Sequence, residues 1–341
     1  MADIADVARH VGVSIATVSR ALNGKSASPE TRQRVLAAAQ ELGYVVSSSA
    51  SSLATGRTRN IGFMVPFIDR WFFTTVLKGM EPILLERGYD LTLYDLQGVE
   101  KQREIIFDNS LRRASVDGLI AASIELAPNE VRTLRDLKKP VVNIGGTIPG
   151  VSTVDIDNLR ISQLATEHLI SLGHTRIAHV GNGGALGAAF HLGDTRYQGW
   201  KTALNNAGID VDLNLFREAD FDIPSGYQAA KSLLGYDRPT AIFAASDEIG
   251  IGCILAARDL GFHVPHDLSV IGIDDHHLSG FFDLTTIAQF PEEQGRQAAI
   301  LLLSNIDEPA SEQLHHTVTP SFIIRSSTAK PDMSITSSIR Q

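Results

Sequence analysis

Residues 4–23, IADVARHVGVSIATVSRALN, carry apolar side chains at helical spacing on both sides of one glycine. That pattern admits little except two short helices joined at a tight turn. Ile4, Val7, Ala8 and Val11 form one core-facing stripe, with Asp3 placed to cap the first helix. Gly12 allows the left-handed backbone that ends it, and Val13 fills the angle between the two. Ser14 is placed to cap the second helix, in which Val18, Ala21 and Leu22 face inward and Ile15, Ala16, Ser19 and Arg20 face outward. An ordinary helical hairpin has the same periodicity. The outer face, however, is small, hydroxylated and basic, without the acidic residues common on solvated helices. It suits a recognition helix whose N-terminal part meets base edges in the DNA major groove. The candidate DNA-contacting residues here are Ser14, Ile15, Ala16, Thr17, Ser19, Arg20 and Asn23. A third helix follows, with Ser28 as N-cap, Pro29 at its first position, Val35, Leu36, Ala39 and Leu42 as its buried stripe, and Gly43 as its stop.

The chain has 341 residues, 43% hydrophobic and 20% charged, which leaves room for a small all-α head and a large body. No run is long or apolar enough to span a membrane and no signal-peptide core opens the chain, so the expected location is the bacterial cytoplasm, at the nucleoid. The lone Cys253 sits in an apolar helical pattern and reads as a core residue. The net charge of −9 divides unevenly: residues 1–60 carry seven Lys or Arg against four Asp or Glu, which is +3 and leaves −12 on the rest. A basic head on an acidic body directs the head to phosphates.

Residues 46–58, VSSSASSLATGRT, have the composition of a flexible linker. Yet Ala50, Leu53 and Ala54 share one helical face, and an exposed Leu is a poor linker residue. Such a segment can become helical only on DNA, with Leu53 wedged into the minor groove between base steps. Ala50, Leu53 and Arg57 complete the candidate DNA-contacting set.

DVARHVGVSIATVSRALNG, the LGY at 42–44 and the ASSLATGRTRNIGFMVP junction resemble the lactose-repressor (LacI/GalR) family of bacterial transcription regulators over about residues 3–326. The resemblance implies two periplasmic-binding-protein-like lobes joined by crossover strands, and a homodimer in which the residue matching Leu53 inserts at the operator centre with its partner's copy. One departure is Val46-Ser47, where the family usually has Pro-Asn. Another is Gly145-Gly146, where members often carry Asp or Arg.

From residue 60 short apolar strands alternate with helices, with strands expected at 61–66, 89–95, 118–122, 141–144, 176–180, 217–219, 241–244 and 268–273, and helices among them at 100–115 and 195–207. Two such series predict two α/β lobes with parallel sheets. The expected organisation is a helix–turn–helix head over 1–45, a hinge over 46–59, a two-lobed effector-binding and dimerisation body over 60–328, and a flexible tail over 329–341. Lobe 1 is drawn from about 60–158 and 288–320, lobe 2 from about 159–287 and 321–328. The polar tail lacks leucine heptads, which argues against an appended coiled coil.

Ligands in open α/β sheets sit beyond the carboxyl ends of the strands. Past those ends lie Asp69, Trp71, Phe72, Asp95, Arg196, Phe221, Asp247 and Asp274, the candidate effector-binding residues. An arginine, carboxylates and flat aromatic faces suit an uncharged, hydroxyl-rich ligand such as a sugar. Trp71 and Phe72 also fit a hydrophobic core, and Asp247 also fits an N-cap for a helix at Ile249. The family resemblance implies effector contacts for Arg196, in its RYQGW context, and for the first Asp of GIDD, Asp274.

The VGNGGALG string has Leu186 at the third glycine position of a dinucleotide fingerprint, and neither a nucleophile elbow nor a phosphate-binding loop is present. Asp274, Asp275, His276 and His277 are adjacent, and adjacent residues seldom converge on one ion. No catalytic, metal or cofactor role is expected. The sequence therefore points to a dimeric regulator, of repressor type, that binds a near-palindromic double-stranded operator under control of a small molecule. Control by a protein partner or a non-sugar metabolite is the alternative, and a sugar-binding transport protein is the more distant one. Leu53→Ala is expected to lower both operator affinity and DNA bending, measured by gel shift on circularly permuted fragments; unchanged bending would remove Leu53 as a wedge.

Overall fold

The computed structural model describes residues 2–22, 27–44, 56–96, 99–113, 116–124, 126–182, 191–308 and 312–332. Asn23, Ala50 and Leu53 lie outside the described residues. The chain divides into two compact units, residues 1–60 with 115–117, and residues 61–114 with 118–341.

The first unit begins with helix α1, Ile4–Val11. The Asp3 carboxylate accepts from Asp6 N at 2.8 Å while Asp6 accepts from Asp3 N at 2.9 Å, a reciprocal cap that satisfies two otherwise unpaired donors. Gly12, at φ 75°, ends the helix. Helix α2, Ile15–Leu22, opens on Ser14, whose Oγ accepts from Thr17 N at 3.1 Å. Helix α3, Pro29–Glu41, opens on Ser28, which caps Thr31 N at 3.2 Å. Val7, Ala8, Val11, Val18, Ala21, Val35, Ala38 and Ala39 form the core of the three helices. Leu36, expected in the buried stripe of α3, is exposed, and Ala38 takes its place on the inner face. With helices this short the interior admits Ala where a leucine would overfill it. Farther along, the buried Asp117 carboxylate gathers Thr58 N, Thr58 Oγ1 and Arg59 N at 2.7–3.0 Å.

The second unit holds two six-stranded sheets. The first contains β1 (Asn60–Val65), β2 (Asp90–Asp95), β3 (Gly118–Ala122), β4 (Val141–Ile144), β5 (Ser152–Asp155) and β11 (His315–Thr317), in the order β11-β5-β4-β3-β1-β2. The second contains β6 (Ile177–Gly181), β7 (Phe216–Glu218), β8 (Ala241–Ala244), β9 (Ser269–Asp274), β10 (Thr285–Ala288) and β12 (Ser321–Ile323), in the order β12-β10-β9-β8-β6-β7. The chain thus moves from the first sheet to the second after β5, back after β10 and over again after β11. Antiparallel β10–β12 closes the edge of an otherwise parallel second sheet. The helices of this unit are α4 (Trp71–Glu86), α5 (Glu100–Ile105), α6 (Pro128–Asp136), α7 (Asn158–Ser171), α8 (His191–Asn206), α9 (Ile223–Tyr236), α10 (Asp247–Asp259) and α11 (Pro291–Asp307). Fully buried strands such as β3 and β8 read as unbroken apolar runs because helices cover both faces.

Several elements depart from the sequence expectation. The helix expected over 100–115 stops at Ile105, passes through one wide turn over Ile106–Ser110 and ends as a 3-10 turn at Leu111–Arg113. Helix α8 starts at His191, four residues before the expected Thr195. Strands β5, β10 and β12, of three or four residues each, are too short to carry a periodic signal of their own. Bonded structure also runs past 328, since Ala329 N donates to Ser269 Oγ at 3.0 Å and Ala329 O receives His174 Nε2 at 2.9 Å.

Helices α4 and α11 pack with backbones in contact: a Cβ at Gly79 would overlap the Glu292 carbonyl oxygen, and one at Gly295 would overlap that of Val76. Gly79→Ala must therefore push the helices apart rather than displace a side chain. It is expected to destabilise the protein by about 1–3 kcal/mol, measured by urea denaturation.

Candidate functional site

The outer face of α2 is built as its spacing predicted. Ser14, Ile15, Ala16 and Arg20 are exposed, Thr17 and Ser19 are half-buried, and Val18 and Ala21 anchor the helix from below. The Ser14 and Thr17 hydroxyls lie 2.9 Å apart, and Arg20 Nε donates to Ala16 O at 3.2 Å. Ile15 is 51% exposed, an apolar contact surface at the start of a helix whose first turn carries no acid. Such a face offers hydroxyl donors, one guanidinium and two small apolar groups, the chemistry that reads base edges and thymine methyls. Arg57, in the part of 46–59 that is described, is half-buried.

In the body, the candidate effector residues fall into three groups. Asp247 is fully buried and bonded on both oxygens: Oδ2 accepts from His276 N at 2.9 Å and Ser279 Oγ at 2.6 Å, and Oδ1 from Thr286 Oγ1 at 2.6 Å. It therefore ties α10 to the segments after β9 and within β10. The cap of α10 is Ser246, whose Oγ accepts from Ile249 N at 3.3 Å, so the N-cap alternative for Asp247 is corrected by one position. Burial pushes the Asp247 carboxyl up to about 6 against the pull of these hydrogen bonds.

Arg196 and Asp274 are also buried. Arg196 Nε and Nη2 donate to Asn158 Oδ1 at 3.1 and 3.0 Å, and Nη1 donates to Ala245 O. The arginine thus joins the start of α7 to the end of β8. Asp274, paired in register with Ala288, accepts from the amide of Gln289. Burial, followed by the like charge of Asp247, raises its carboxyl well above the usual carboxylate range, while Arg196 opposes the shift. Asp275 turns the other way and pairs with Arg325 Nη2 at 2.6 Å.

The remaining candidates lie near the segment that follows β1 or farther out. Asp69 is exposed and Asp95 half-buried at the end of β2. Phe72 packs edge-on to Phe73 at 5.3 Å and joins the core, as its alternative reading allowed. Trp71 meets the ring of His276 across the two lobes at 4.8 Å. Phe221 is half-buried against the core of the second sheet. Beside them Arg70 Nη1 reaches Asp222 Oδ2 at 3.2 Å, an inter-lobe ion pair that no local pattern announces. Both partners are about a quarter exposed, at 25% and 24%, so the pair is worth about 1 kcal/mol or less. Glu248 stands close enough to feel Arg70, Asp222 and Asp69, and burial raises its carboxyl to about 6.

A cavity of 570 Å³ in the body lies elsewhere. The register pairs Ala121 with Asn143, Asn143 with Thr153, and Thr317 with Asp155, which brings the carboxyl ends of β3, β4, β5 and β11 together. Ser123, Asn143, Gly145, Gly146, Asp155 and Asn158 line the space they enclose. Of the candidate residues, only Arg196 is tied to this cavity, through Asn158. Trp71 and Asp274 line a separate one of 390 Å³, with Asp275, Phe290, Glu292 and Glu293. Ser123 and Asn143 escaped sequence reading, although an Asn inside the apolar run VVNI is itself a signal. A polar side chain is kept in a buried strand when it has something to hold.

Comparison with known proteins places these features. Residues 3–47 match the family model described as bacterial regulatory proteins, lacI family, and residues 166–328 match the periplasmic binding protein-like domain. The chain is 33% identical over 334 residues to the HTH-type transcriptional repressor PurR of Histophilus somni (strain 129Pt), covering 96% of this chain and 99% of that protein. Among solved structures, the lac repressor dimer bound to operator and the anti-inducer ONPF superposes with TM-score 0.82 at 26% identity, over 96% of this chain and 99% of that one. The transcriptional regulator CelR–cellobiose complex gives TM-score 0.71 at 30% identity, over 96% and 100%.

The raised Glu248 carboxyl has a signed consequence. Its ordinary value is 4.5 and its folded value about 6, so its contribution to stability is full below about pH 4.5 and is lost as pH rises through 6. Glu248→Gln is expected to stabilise the protein by about 1 kcal/mol near pH 7.5, after solvent screening, and by less near pH 5. Urea denaturation at the two pH values checks this; an equal gain at both would mean that the carboxylate charge is not the cause.

Proposed function

Because the chain belongs to the lacI family of bacterial regulatory proteins, we propose that it is a dimeric repressor whose grip on a near-palindromic operator is set by a small molecule held between its lobes. The observation that carries this reading is the joint presence in one chain of a helix–turn–helix head and a two-lobed periplasmic-binding-like body. The head is a capped three-helix unit with an exposed, acid-free recognition face; the body is two-lobed, with a cavity at the ends of its strands. The operator-bound lac repressor dimer supports a paired arrangement, in which each head enters a major groove and residues 46–59 act between them. Ser14, Ile15, Ala16, Thr17, Ser19, Arg20 and Asn23 are the proposed major-groove contacts, and Ala50, Leu53 and Arg57 the proposed hinge contacts.

The proposed effector is a sugar or sugar derivative. The cellobiose complex of CelR supports this class, as do the carboxylates and the apolar surface at the strand ends. Control follows from linkage: a ligand that favours one lobe arrangement changes operator affinity by its differential affinity for the two arrangements, and the Arg70–Asp222 clasp is one contact that such a change breaks or makes.

The test is selection of the preferred operator from random duplexes, followed by thermal-shift screening with sugars, sugar phosphates and nucleobases. A ligand that raises the melting temperature should also change operator affinity. The reading fails if no sequence is selected or if no hit alters DNA binding; release by a protein partner would replace the effector half alone. Arg20→Ala should relax base preference at one operator position at a cost of about 1–3 kcal/mol. Uniform weakening across sequences would make Arg20 a phosphate contact instead.

A further inference from the structure

We propose that Asp117 is a positioning residue for operator binding: its carboxylate clamps the chain at Thr58 and Arg59, and the clamp restricts how Arg57 and the residues before it are presented to DNA. The inference rests on the DNA-binding reading above and adds to it a residue outside the proposed contact set.

The contacts of Asp117 fall on three successive residues. Its Oδ1 accepts from Thr58 N at 2.7 Å and from Thr58 Oγ1 at 3.0 Å, and its Oδ2 accepts from Arg59 N at 3.0 Å. Its own N–H donates to Asn60 O at 2.7 Å. Asp117 is only 4% exposed, so water competes little for these bonds, and the charge of the carboxylate strengthens those that it accepts. The parallel β1–β3 ladder starts just beyond, with Ile61 opposite Gly118. Before that ladder the backbone of Arg59 turns to φ 57°. A residue other than glycine keeps such a left-handed conformation only where its surroundings hold it. The carboxylate supplies that hold, since it takes the N–H of Arg59 together with that of the residue before it.

These residues stand where the chain passes between its two compact units. It leaves the first unit after Asn60 to run along β1, and it passes again from the first to the second between Asp117 and Gly118, where β3 begins. Asp117 thus ties one crossing to the other, across 58 and 59 residues of sequence. Two crossings bound together leave the connecting chain fewer arrangements than one free crossing does.

Arg57, the last of the proposed hinge contacts, directly precedes Thr58. An operator with two half-sites accepts only some directions of approach. If the chain reaches those directions part of the time, its apparent affinity falls by that fraction. Non-specific binding needs only basic side chains near phosphates and carries no such requirement. The clamp therefore acts on the preference for operator over other DNA, not on the attraction to DNA as such.

Asp117→Asn in the full-length protein tests the proposal. The amide keeps the volume and one acceptor but sets donors where the second acceptor stood. Gel shift compares the operator selected as above with a random duplex of the same length. Operator affinity should fall about tenfold, as for a chain competent about one-tenth of the time, with affinity for the random duplex unchanged. Hydrogen exchange of the free protein should be faster at Thr58 and Arg59 in the variant. Thr58→Val, which removes only the hydroxyl, should lower operator affinity by a smaller factor, and Thr58→Ser, which keeps it, should match the unchanged protein. Melting temperature checks that the variants fold, and Thr58→Val against Thr58→Ser decides the matter if Asp117→Asn does not. Equal loss on both duplexes overturns the positioning role, as does unchanged operator affinity in a folded Asp117→Asn or, failing that variant, in Thr58→Val. Unchanged exchange at Thr58 and Arg59 overturns the clamp itself. Selection of no operator by the unchanged protein counts against the DNA-binding reading instead, and the positioning role falls with it.

Discussion

A carboxylate buried without a cation bonded to it holds the second lobe together. Asp247 is fully buried at the first turn of α10, where the helix N-terminus favours negative charge, and it is satisfied by one backbone N–H and two hydroxyls. Those three donors come from segments 29, 32 and 39 residues away, so one side chain sets how β9, the turn after it and β10 meet α10. The geometry leaves no spare room. A Cβ on Gly272 would overlap Asp247 Oδ1, which explains the glycine in the middle of a fully buried strand.

The consequence spreads along the strand ends. Asp274 emerges two residues after Gly272 with φ 141°, beside the Asp247 charge, and its carboxyl is pushed upward and tied to Gln289. Arg196 balances both acids through space while its hydrogen bonds go to Asn158 and Ala245. Residues whose types suggest ligand binding are therefore largely consumed by one another. At the ends of the first sheet, by contrast, Ser123 Oγ and Asn143 Oδ1 are buried without a hydrogen-bond partner among the described residues. Between the lobes, the Arg70–Asp222 pair and the Trp71–His276 ring contact are modest, partly exposed interactions, of the kind that a change of lobe arrangement could break at little cost.

How far the chain could be read before folding depended on the range of the interaction. Asp3, Gly12, Ser14, Ser28 and Pro29 act on atoms within a turn of themselves, and their caps and stops are where spacing placed them. Leu36 stays outside because the width of a three-helix core is set by its partners, and α3 turns Ala38 inward instead. The long helix expected over 100–115 broke for a similar reason: its side-chain pattern is helical, but the turn at Ile106–Ser110 widens as Ile106 and Phe107 bury.

Periodicity, caps and charge are properties that neighbouring residues carry among themselves, and they were enough to establish the architecture and the family: a basic helix–turn–helix head and an acidic body of two α/β lobes. Which polar groups are occupied was settled at the level of tertiary contacts. Asp247 and Arg196 find partners 29 to 49 residues away, whereas the buried oxygens of Ser123 and Asn143 find none among the described residues. Occupancy of a hydrogen-bonding atom depends on what the fold brings to it, and residue type alone cannot report that.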